Sequence, residues 1–305
     1  MEIYYQGTDI TGFVHVHSCK VRDTAGNRCD SLDIEFENAA GWYRWQPEED
    51  DQIIVAHGRY NSGVMYLNTI MPEDGRYRIL ATSLPCKARN KENAAYYQKT
   101  IEDIMRSCAA MSGMDFQIFG LDPYTVIPYI ERDHEGGAAF LHKLLTLEGA
   151  MLKCVNGKYT AIGISYAQDL PALQTVNLTA KQQGIRYSRS GMTLKGVTLK
   201  TPYASATAKD TAVADSHMHL ITGDVPVLED IQAGRWARGK LLHMNRQTEK
   251  VDLQGDFNAG LTAMVRIDID GDTDATGEWL AEEVEHDLIE KRTTAVLRRC
   301  IRTIQ

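Results

Sequence analysis

The segment Tyr129–Gly163, YIERDHEGGAAFLHKLLTLEGAMLKCVNGKYTAIG, decides the fold because it combines a helical pattern with two kinds of turn signal. Its acidic start predicts a turn, and the apolar spacing across Phe140–Leu147 predicts an amphipathic helix that ends at Gly149. The flanks of Asn156-Gly157 predict two strands joined by a tight hairpin. The segment contains no motif typical of a catalytic or ligand-binding site, so it predicts the fold and not an activity.

Residues 1–88, which precede this module, have the pattern of β-structure. Apolar and acidic residues alternate within Ser31–Asn38, which predicts a strand with one wet face. Asp74-Gly75 lies between the apolar runs Val64–Met71 and Tyr77–Leu84, and this arrangement is typical of a hairpin turn. Several short strands with turn signals between them favour a barrel or a sandwich.

Residues 89–165 form a small α+β module that contains the opening segment. The polar stretch KARNKEN opens a helix, and apolar residues then recur at helical spacing from Tyr97 to Cys108. We therefore expect a helix over Ala94–Ala110, with Gly113 as its stop. His134 and His142 of this module are interpreted as surface or packing residues.

Residues 166–305 return mainly to β-structure and contain one helix. Apolar positions across Val227–Arg246 predict that helix, although its two glycines lower helix propensity. The stretch Ala204–Asp215, rich in alanine and threonine, is interpreted as a loop or a weak helix. The predicted strands are Thr193–Leu199, Lys250–Leu253, Ala263–Ile269, Glu278–Leu288 and Thr293–Ile304. The fold class is therefore α+β, dominated by β-structure.

The composition excludes several classes of function. The 305-residue chain has a formal net charge of -8, whereas a general nucleic-acid binder needs a basic footprint to neutralise phosphates. No apolar run approaches the ~18 residues of a membrane span, and no signal peptide is expected from MEIYYQGTDITG. The six cysteines form no C-x-x-C pair, which favours reduced thiols in a protein made in a cytosol. Nucleotide-cofactor and serine-hydrolase motifs are absent.

The most tempting chemical motif is Asp215-x-His217-x-His219. Two histidines at i and i+2 on a strand point to the same side and could share a divalent metal. The pattern resembles the metal-binding strand of amidohydrolase-type barrel enzymes, so a metal-dependent hydrolase is the alternative function. The following residues offer His243 and His286 but no clear strand–helix alternation. We therefore favour two histidines on a loop or strand edge, and no metal ligand.

A second potential zinc-ligand set is His15, His17 and Cys19, which alternate and are predicted to share one strand face. Without a second cluster, we favour a polar strand face that meets solvent or another subunit.

Four aspartates alternate in a short stretch: Asp268, Asp270, Asp272 and Asp274. An EF-hand loop needs glycine at its sixth position and an acid at its twelfth, where this chain has Thr273 and Trp279. We predict that Asp270-Gly271-Asp272 makes a solvated turn between strands, with adventitious calcium binding as the alternative.

The stretch GWYRWQPEED contains an aromatic cluster, Trp42, Tyr43 and Trp45, in a predicted loop. Such rings could stack on sugars, so a module that binds cell-wall sugars is a further hypothesis. Burial at a subunit or domain contact is favoured because aromatic residues are enriched in interface cores.

Four places in the chain form an ordered set of motifs: the helix Ala94–Ala110 with its exit Gly113–Phe116, the acidic Glu131–Asp133 with an "FL-x-x-L" helix and Gly149, an "L-x-A-G-x-x-V" stretch at Phe257–Val265, and a closing hairpin Gly277–Leu297 with a "V-x-H" strand. In this order they resemble the late control protein D family, the tail hub proteins of contractile phages and related bacteriocins. Two departures are Leu145-Thr146-Leu147, where the family has "L-A", and residues 202–224, which have no clear counterpart.

This resemblance implies a structural homotrimer rather than an enzyme. Each subunit would contribute two tail-tube-like β-barrel domains, residues 1–88 and 166–305, with the module 89–165 between them. Three subunits would form a pseudo-hexagonal ring that joins the sixfold tail tube to the threefold central spike or cell-puncturing protein. The implied location is the baseplate of a virion or of a phage-tail-like particle, where tape-measure and other baseplate proteins are further partners. No catalytic, cofactor or metal residues are implied.

Overall fold

The computed structural model describes residues 1–37, 45–73, 75–177, 184–271 and 273–305. Its helices are α1 (Ile101–Ser112), α2 (Gly137–Leu147), α3 (Ile164–Asp169) and α4 (Asp230–Arg246), with 3-10 turns at Thr11–Phe13 and Cys86–Arg89. Its strands are β1 (Glu2–Tyr5), β2 (Thr8–Asp9), β3 (Val16–Thr24), β4 (Ser31–Glu37), β5 (Gln52–His57), β6 (Tyr60–Asn61), β7 (Met65–Glu73), β8 (Arg76–Thr82), β9 (Glu92–Thr100), β10 (Asp115–Phe119), β11 (Val126–Glu135), β12 (Ala150–Val155), β13 (Lys158–Gly163), β14 (Gln174–Asn177), β15 (Gly184–Arg189), β16 (Gly196–Lys200), β17 (Ser205–Lys209), β18 (His219–Thr222), β19 (Glu249–Asp256), β20 (Arg266–Asp270), β21 (Gly277–Asp287) and β22 (Arg292–Arg299).

A large curled sheet dominates the molecule and confirms the predicted β-dominated α+β class. Among the described residues it contains 14 strands, with the main path β15-β19-β22-β21-β3-β4-β8-β7-β5-β1-β2. The strands of the N-terminal half and those of the C-terminal half meet at one seam, where β21 pairs antiparallel with β3. The two halves therefore form one continuous hydrogen-bonded surface.

The N-terminal half of the sheet packs around its own apolar core. The predicted alternation is confirmed in β4, where Leu32, Ile34 and Phe36 are all buried. The hairpin predicted before Tyr77 is present as the antiparallel pair β7–β8, and Gly75 has φ +78°, which favours glycine. Asp74, the other residue of that predicted turn, lies outside the described residues.

The C-terminal half of the sheet has a second core, built around Trp279 and Leu297. Trp279 is fully buried, and its indole N–H donates to the Ala275 carbonyl at 2.8 Å. The strands predicted in this region are present as β19 to β22, which pair antiparallel except where the parallel strand β14 joins β20.

The prediction of a first helix over Ala94–Ala110 is wrong in its N-terminal part. Residues 94–100 belong to β9, which pairs antiparallel with β11, and the helix begins only at Ile101. Thr100 ends the strand and caps α1, because its hydroxyl accepts from the Asp103 amide while the Asp103 carboxylate accepts from the Thr100 amide. The predicted stop is confirmed at Gly113, whose φ is +69°.

The opening segment contains its predicted helix and hairpin. α2 buries Phe140 and Leu144, and Gly149 follows it with φ +71°. β12 and β13 pair across Asn156-Gly157, whose positive φ values of 49° and 70° match a tight hairpin turn. The acidic residues 131–135 are the exception, because they continue β11 and do not form a turn.

The last helix, α4, packs against the module and not only against the large sheet. α4 begins at Asp230 inside the predicted range and shares one apolar core with α1, α2 and the strands β16 and β17. The prediction of a loop or weak helix for Ala204–Asp215 is wrong at Ser205–Lys209, which form β17 beside β16. Pairing with β16 overrides the alanine content of this stretch.

Candidate assembly surface

One face of the large sheet is polar along its length, and we call it the wet face. It comprises the residues opposite the two cores on β7, β8, β4, β3, β21, β22, β19 and β15. On β3 and β4, Lys20 and Asp33 lie side by side on this face, while Val21 and Leu32 point into the core. The period of two that buries one face of each strand therefore exposes the other.

Charges of opposite sign alternate from strand to strand across the wet face. Basic residues lie on β8, acidic ones on β4, basic ones on β3 and acidic ones on β21. The resulting cross-strand pairs are Arg78–Asp33 at 2.6 Å, Arg76–Glu35 at 2.9 Å, Lys20–Asp287 at 3.9 Å, Arg22–Glu283 at 3.1 Å and Arg22–Glu285 at 2.6 Å. Opposite charges on neighbouring strands stabilise one strand order and register.

Arg22 stands at the seam between the two halves. Its guanidinium contacts two carboxylates of β21, and the hydrogen bond to Glu285 raises the pKa of Arg22. The same two carboxylates lie beside a cleft of about 580 Å³ that extends to Arg186 on β15. The wet face is therefore concave between the β21–β3 seam and strand β15.

Two strands of the large sheet, β15 at one end of the path and β7 within it, have an edge that other described strands leave open. Among the described strands, β15 pairs with β19 alone. β7 pairs with β5 through Met65 and Tyr66, and Leu67 pairs with the backbone of Asp50 and Asp51. Within the described part of the chain, residues 69–73 follow a bulge at Asn68 and pair with β8 on one side only. Open edges of this kind form interfaces in assemblies.

The structure does not bring Asp215, His217 and His219 together as a metal site. His219 lies on β18 and its Nε2 is 2.7 Å from the Thr198 hydroxyl, whereas the His217 Nδ1 is 3.1 Å from a backbone carbonyl. Asp215 is exposed and pairs with Lys195 at 3.2 Å. Within the described ranges, no group of three or more His, Cys, Asp or Glu side chains is arranged to hold a metal.

The prediction that His15, His17 and Cys19 share one strand face is wrong. A β-bulge between Val16 and Ser18 shifts the pairing of β3 with β4, so the side chains change parity there. His17 is exposed and lies 3.5 Å from Glu37, whereas Cys19 is fully buried in the N-terminal core.

The predicted turn position lies between β20 and β21, which pair antiparallel, and Asp268 and Asp270 lie on β20 itself. Asp268 pairs with Arg266 at 3.0 Å, and Asp270 accepts from the Gly271 amide at 2.9 Å. The Asp274 carbonyl accepts from Arg299. Asp272 lies outside the described residues.

Of the predicted aromatic cluster, Trp42 and Tyr43 lie outside the described residues. Trp45 is partly exposed and stacks on Tyr5, with 6.2 Å between ring centroids.

The remaining histidines occupy structural positions. His286 is buried and lies 3.0 Å from the Thr293 hydroxyl and 3.0 Å from the Leu261 carbonyl. His243 contacts the Ala150 carbonyl at 3.0 Å, and burial lowers its pKa to about 3. His134 is exposed and His142 half-buried, consistent with their interpretation as surface or packing residues.

All six cysteines are free thiols, as the sequence indicates: Cys19, Cys29, Cys86, Cys108, Cys154 and Cys300. Burial raises the pKa of the Cys19 thiol to about 12, and that of Cys108 is raised for the same reason. These two thiols are protonated near neutral pH, so the structure gives them a packing role.

The charge pattern of the wet face was not identified from the sequence. The alternation in β4 signalled an acidic strand face, but the basic partners on β3 and β8 become neighbours only through strand pairing. Arg22 and Glu285 are far apart in the sequence, so no local sequence pattern predicts their contact.

No helix among the described residues has the length and apolar character required to cross a membrane. No family model and no curated protein sequence matches the chain.

Solved structures do match it. A tail protein from Neisseria meningitidis MC58 is similar with a TM-score of 0.74 and 10% identity, over 98% of this chain and 95% of that one. The 43 kDa tail protein of prophage MuSo2 from Shewanella oneidensis has a TM-score of 0.72 and 12% identity, over 98% and 97%. The E. coli c3393 protein has a TM-score of 0.62 and 14% identity, over 97% and 76%; it is described as a type VI secretion component with structural similarity to the T4 bacteriophage tail proteins gp27 and gp5.

The chain therefore has the fold of phage tail proteins over almost its whole length. The resemblance drawn from weak sequence motifs is confirmed at the level of the fold. At identities of 10 to 14%, the likeness is carried by topology rather than by shared side chains.

Proposed function

We propose that this protein is a structural hub of a contractile phage tail or a phage-tail-like particle. Three copies form a ring that joins the tail tube to a central spike protein, and the ring has no catalytic turnover. The two halves of the large sheet, from residues 1–88 and 166–305, supply the wall of the ring. Residues 89–165 supply a module on that wall, with β16–β18 and α4 packed against it.

The observation that carries this proposal is the pair of open edges on β7 and β15, the two strands that bound a run of eight antiparallel strands in the large sheet. From β7 to β15 the path is β7-β8-β4-β3-β21-β22-β19-β15, and every neighbouring pair is antiparallel. Because the number of strands is even, β7 and β15 run in opposite directions. The β15 edge of one copy therefore has the right direction to pair antiparallel with the β7 edge of the next.

The two edges also have similar lengths. β15 offers the six residues Gly184–Arg189, and the part of β7 that pairs only with β8 offers the five residues 69–73, of which Pro72 has no backbone N–H to donate. A contact between two different edges is heterologous, and such contacts close into rings when the rotation per copy allows it. Closure hides both edges, which an isolated chain would leave open to uncontrolled pairing.

In such a ring the wet face forms a continuous wall. The concave cleft between Arg22 and Arg186 places its charges on the inner side of the curve. The β21–β3 seam within one chain and the β15–β7 contact between copies are then both antiparallel strand pairings. A load applied along the tail is carried by hydrogen-bonded strands around the whole ring.

The assembly state is tested on the purified chain by mass photometry and negative-stain microscopy over a range of concentrations. We expect particles of three times the chain mass, with threefold symmetry and a central channel. Where the free chain is monomeric, the same measurements are repeated with a purified tail tube protein, which we expect to template the ring. Monomers under both conditions would contradict the proposal.

The edge contact is tested by cross-linking cysteines placed on the wet side of the two edge strands. The variant Arg186→Cys/Thr69→Cys is prepared with the partly exposed Cys29, Cys86 and Cys300 changed to serine. A flexible bismaleimide is expected to produce a ladder that ends at the trimer. Each single variant is the matched control and should stop at dimers formed by random collision. A trimer that gives no ladder would reject this edge pairing while leaving the hub role in place.

A further inference from the structure

A buried group of three charges connects the module to the large sheet. The Lys153 ammonium on β12 contacts the Asp23 carboxylate on β3 and lies 4.0 Å from the Asp30 carboxylate. All three residues are buried, at 8%, 8% and 2% exposure respectively. We call this group the triad. Buried charges are costly unless paired, and here two acids face one base.

The segment that contains the two acids is a junction of several elements. The Gly26 amide donates to the Leu152 carbonyl of β12 at 2.8 Å, and the Ala25 amide donates to the Glu282 carbonyl of β21 at 3.0 Å. Asp23 accepts from the Ala263 amide at 3.3 Å. The triad therefore lies where the module, the seam strand β21 and the N-terminal half of the sheet meet.

The charge balance of the triad depends on one proton. With both acids ionised, the site carries a net charge of -1 in a buried environment; with one proton bound, it is neutral. Asp30 is the acid farther from Lys153, and burial raises its pKa to about 7. Asp30 also accepts from the Thr24 amide at 2.8 Å, which fixes its orientation.

Four titratable groups near the triad stay uncharged near neutral pH. Burial raises the pKa values of two thiols and one phenol and lowers that of an imidazole. These groups are Cys29, Cys154, Tyr60 and His286.

We propose that the Asp23–Asp30–Lys153 triad is a pH-dependent latch between the module and the large sheet. With a proton on Asp30, the latch is neutral and holds the Gly26–Leu152 contact closed. Loss of that proton leaves an unbalanced buried charge and loosens the contact. This inference does not depend on the ring, because every residue in it lies within one chain.

The sign of the effect follows from proton linkage. Asp30 binds its proton more tightly in the folded chain than the ordinary value of 3.8 implies. Its stabilising contribution is therefore complete below about pH 4 and is lost as the pH rises to about 7.

The direct test is a carbon-13 NMR titration of the aspartate carboxyls in the wild-type chain. We expect one carboxyl with a midpoint near neutral pH, assigned to Asp30 by its absence from the Asp30→Asn variant. A midpoint below pH 5 for Asp30 would overturn the proposal, whether or not any variant folds.

The second test compares stability between variants. Asparagine mimics the protonated acid, so the unfolding equilibrium constant of wild type relative to Asp30→Asn should rise with pH, by up to tenfold per unit between about pH 4 and 7. Asp33→Asn on the wet face is the matched control and should give a nearly constant ratio over the same range. Amide exchange at Gly26, corrected for its intrinsic rate, should accelerate with pH in wild type only. A ratio for Asp30→Asn that does not change with pH would contradict the latch.

Discussion

Arg22 on β3 donates to Glu285 on β21 at 2.6 Å, and this contact crosses the seam between residues that are 263 positions apart in the chain. The same guanidinium contacts Glu283 at 3.1 Å. One side chain thus connects two carboxylates of the C-terminal half to the N-terminal half. The seam is held by backbone pairing along β21 and β3 and by this charge contact on the wet face.

Replacing Arg22 by alanine should weaken the seam by a modest amount. The side chain is 42% exposed, so solvent screens its two ion pairs and we expect a loss of about 1 kcal/mol in the free energy of unfolding. Arg76→Ala is the matched control, because Arg76 makes one exposed pair within the N-terminal half, and should lose about 0.5 kcal/mol or less. Urea unfolding at low and high salt measures both. A loss for Arg22→Ala that persists undiminished at high salt would show that packing, not charge, is responsible.

Local patterns in the sequence predicted most single elements correctly. The period of two in β4 and the Asn156-Gly157 turn depend only on neighbouring residues, so the sequence contains their signal. The error at residues 94–100 has a different origin. Tyr97 fits a helical stripe with Ile101, but pairing with β11 places Tyr97 opposite Tyr129 in a strand. Tertiary pairing overrides local periodicity there.

Such local patterns could not predict contacts between segments that are distant in the sequence. The bulge at Val16 and Ser18 reverses side-chain parity, and nothing in the spacing of His15, His17 and Cys19 signals it. The partners of the wet-face charges depend on the strand order. The packing of α4 on the module likewise depends on contacts such as Trp236 with Glu148, which are 88 residues apart.

The close approach of α4 to the end of α2 can be tested at two glycines of the same helix. A Cβ at Gly239 would lie 2.1 Å from the Leu147 carbonyl oxygen and 2.6 Å from the Gly149 amide nitrogen, which are backbone atoms that cannot move freely. Gly239→Ala should therefore destabilise the protein by about 3 kcal/mol or more, the range of severe overpacking.

Gly234→Ala is the matched control for this prediction. A Cβ there would lie 3.8 Å from the Ala206 side chain, in ordinary contact. Because alanine is the better helix former, this variant should gain up to about 1 kcal/mol. Thermal unfolding of both variants measures the contrast. Equal stability of the two would show that α4 and α2 are farther apart than the structure places them.

Glu148 at the end of α2 joins α4 through two neighbouring side chains. Its carboxylate accepts from the Trp236 indole at 2.7 Å and from Arg235 at 3.1 and 3.2 Å, and its side chain is only 4% exposed. Glu148→Ala leaves the buried indole N–H without its acceptor, so we expect a loss of about 2–3 kcal/mol. Chemical unfolding with intrinsic tryptophan fluorescence reports it, since the local signal of Trp236 should change as well.

Glu148→Gln and Glu131→Ala separate the causes of that loss. Glutamine keeps an acceptor for the indole, so Glu148→Gln should recover part of the stability. Glu131 is exposed and contacts the Tyr129 hydroxyl at 2.7 Å, so its removal should cost less than about 0.5 kcal/mol. A Glu148→Ala variant as stable as Glu131→Ala would disprove the buried role of this carboxylate.

His243 should contribute to acid unfolding. Burial and the neighbouring Arg246 lower its pKa to about 3 from an ordinary 6.5, so the folded chain binds its proton more weakly than the unfolded chain. Its contribution is therefore complete above about pH 6.5 and is lost as the pH falls toward 3, by up to about 1.4 kcal/mol per pH unit. This pH dependence is opposite in sign to that of Asp30. Each contribution is therefore measured as the difference in free energy of unfolding between a variant and wild type.

The variant His243→Gln isolates this effect, since glutamine retains an N–H donor for the Ala150 carbonyl. Relative to wild type, it should gain stability steadily as the pH falls from 6.5 to 4, with no such gain between pH 7 and 8. His134→Gln is the matched control, because His134 is exposed, and should follow wild type throughout. Urea unfolding at half-unit pH steps measures all three chains. A His243→Gln curve parallel to that of wild type below pH 6 would contradict this prediction, because the folded chain would then bind a proton at His243 as readily as the unfolded chain does.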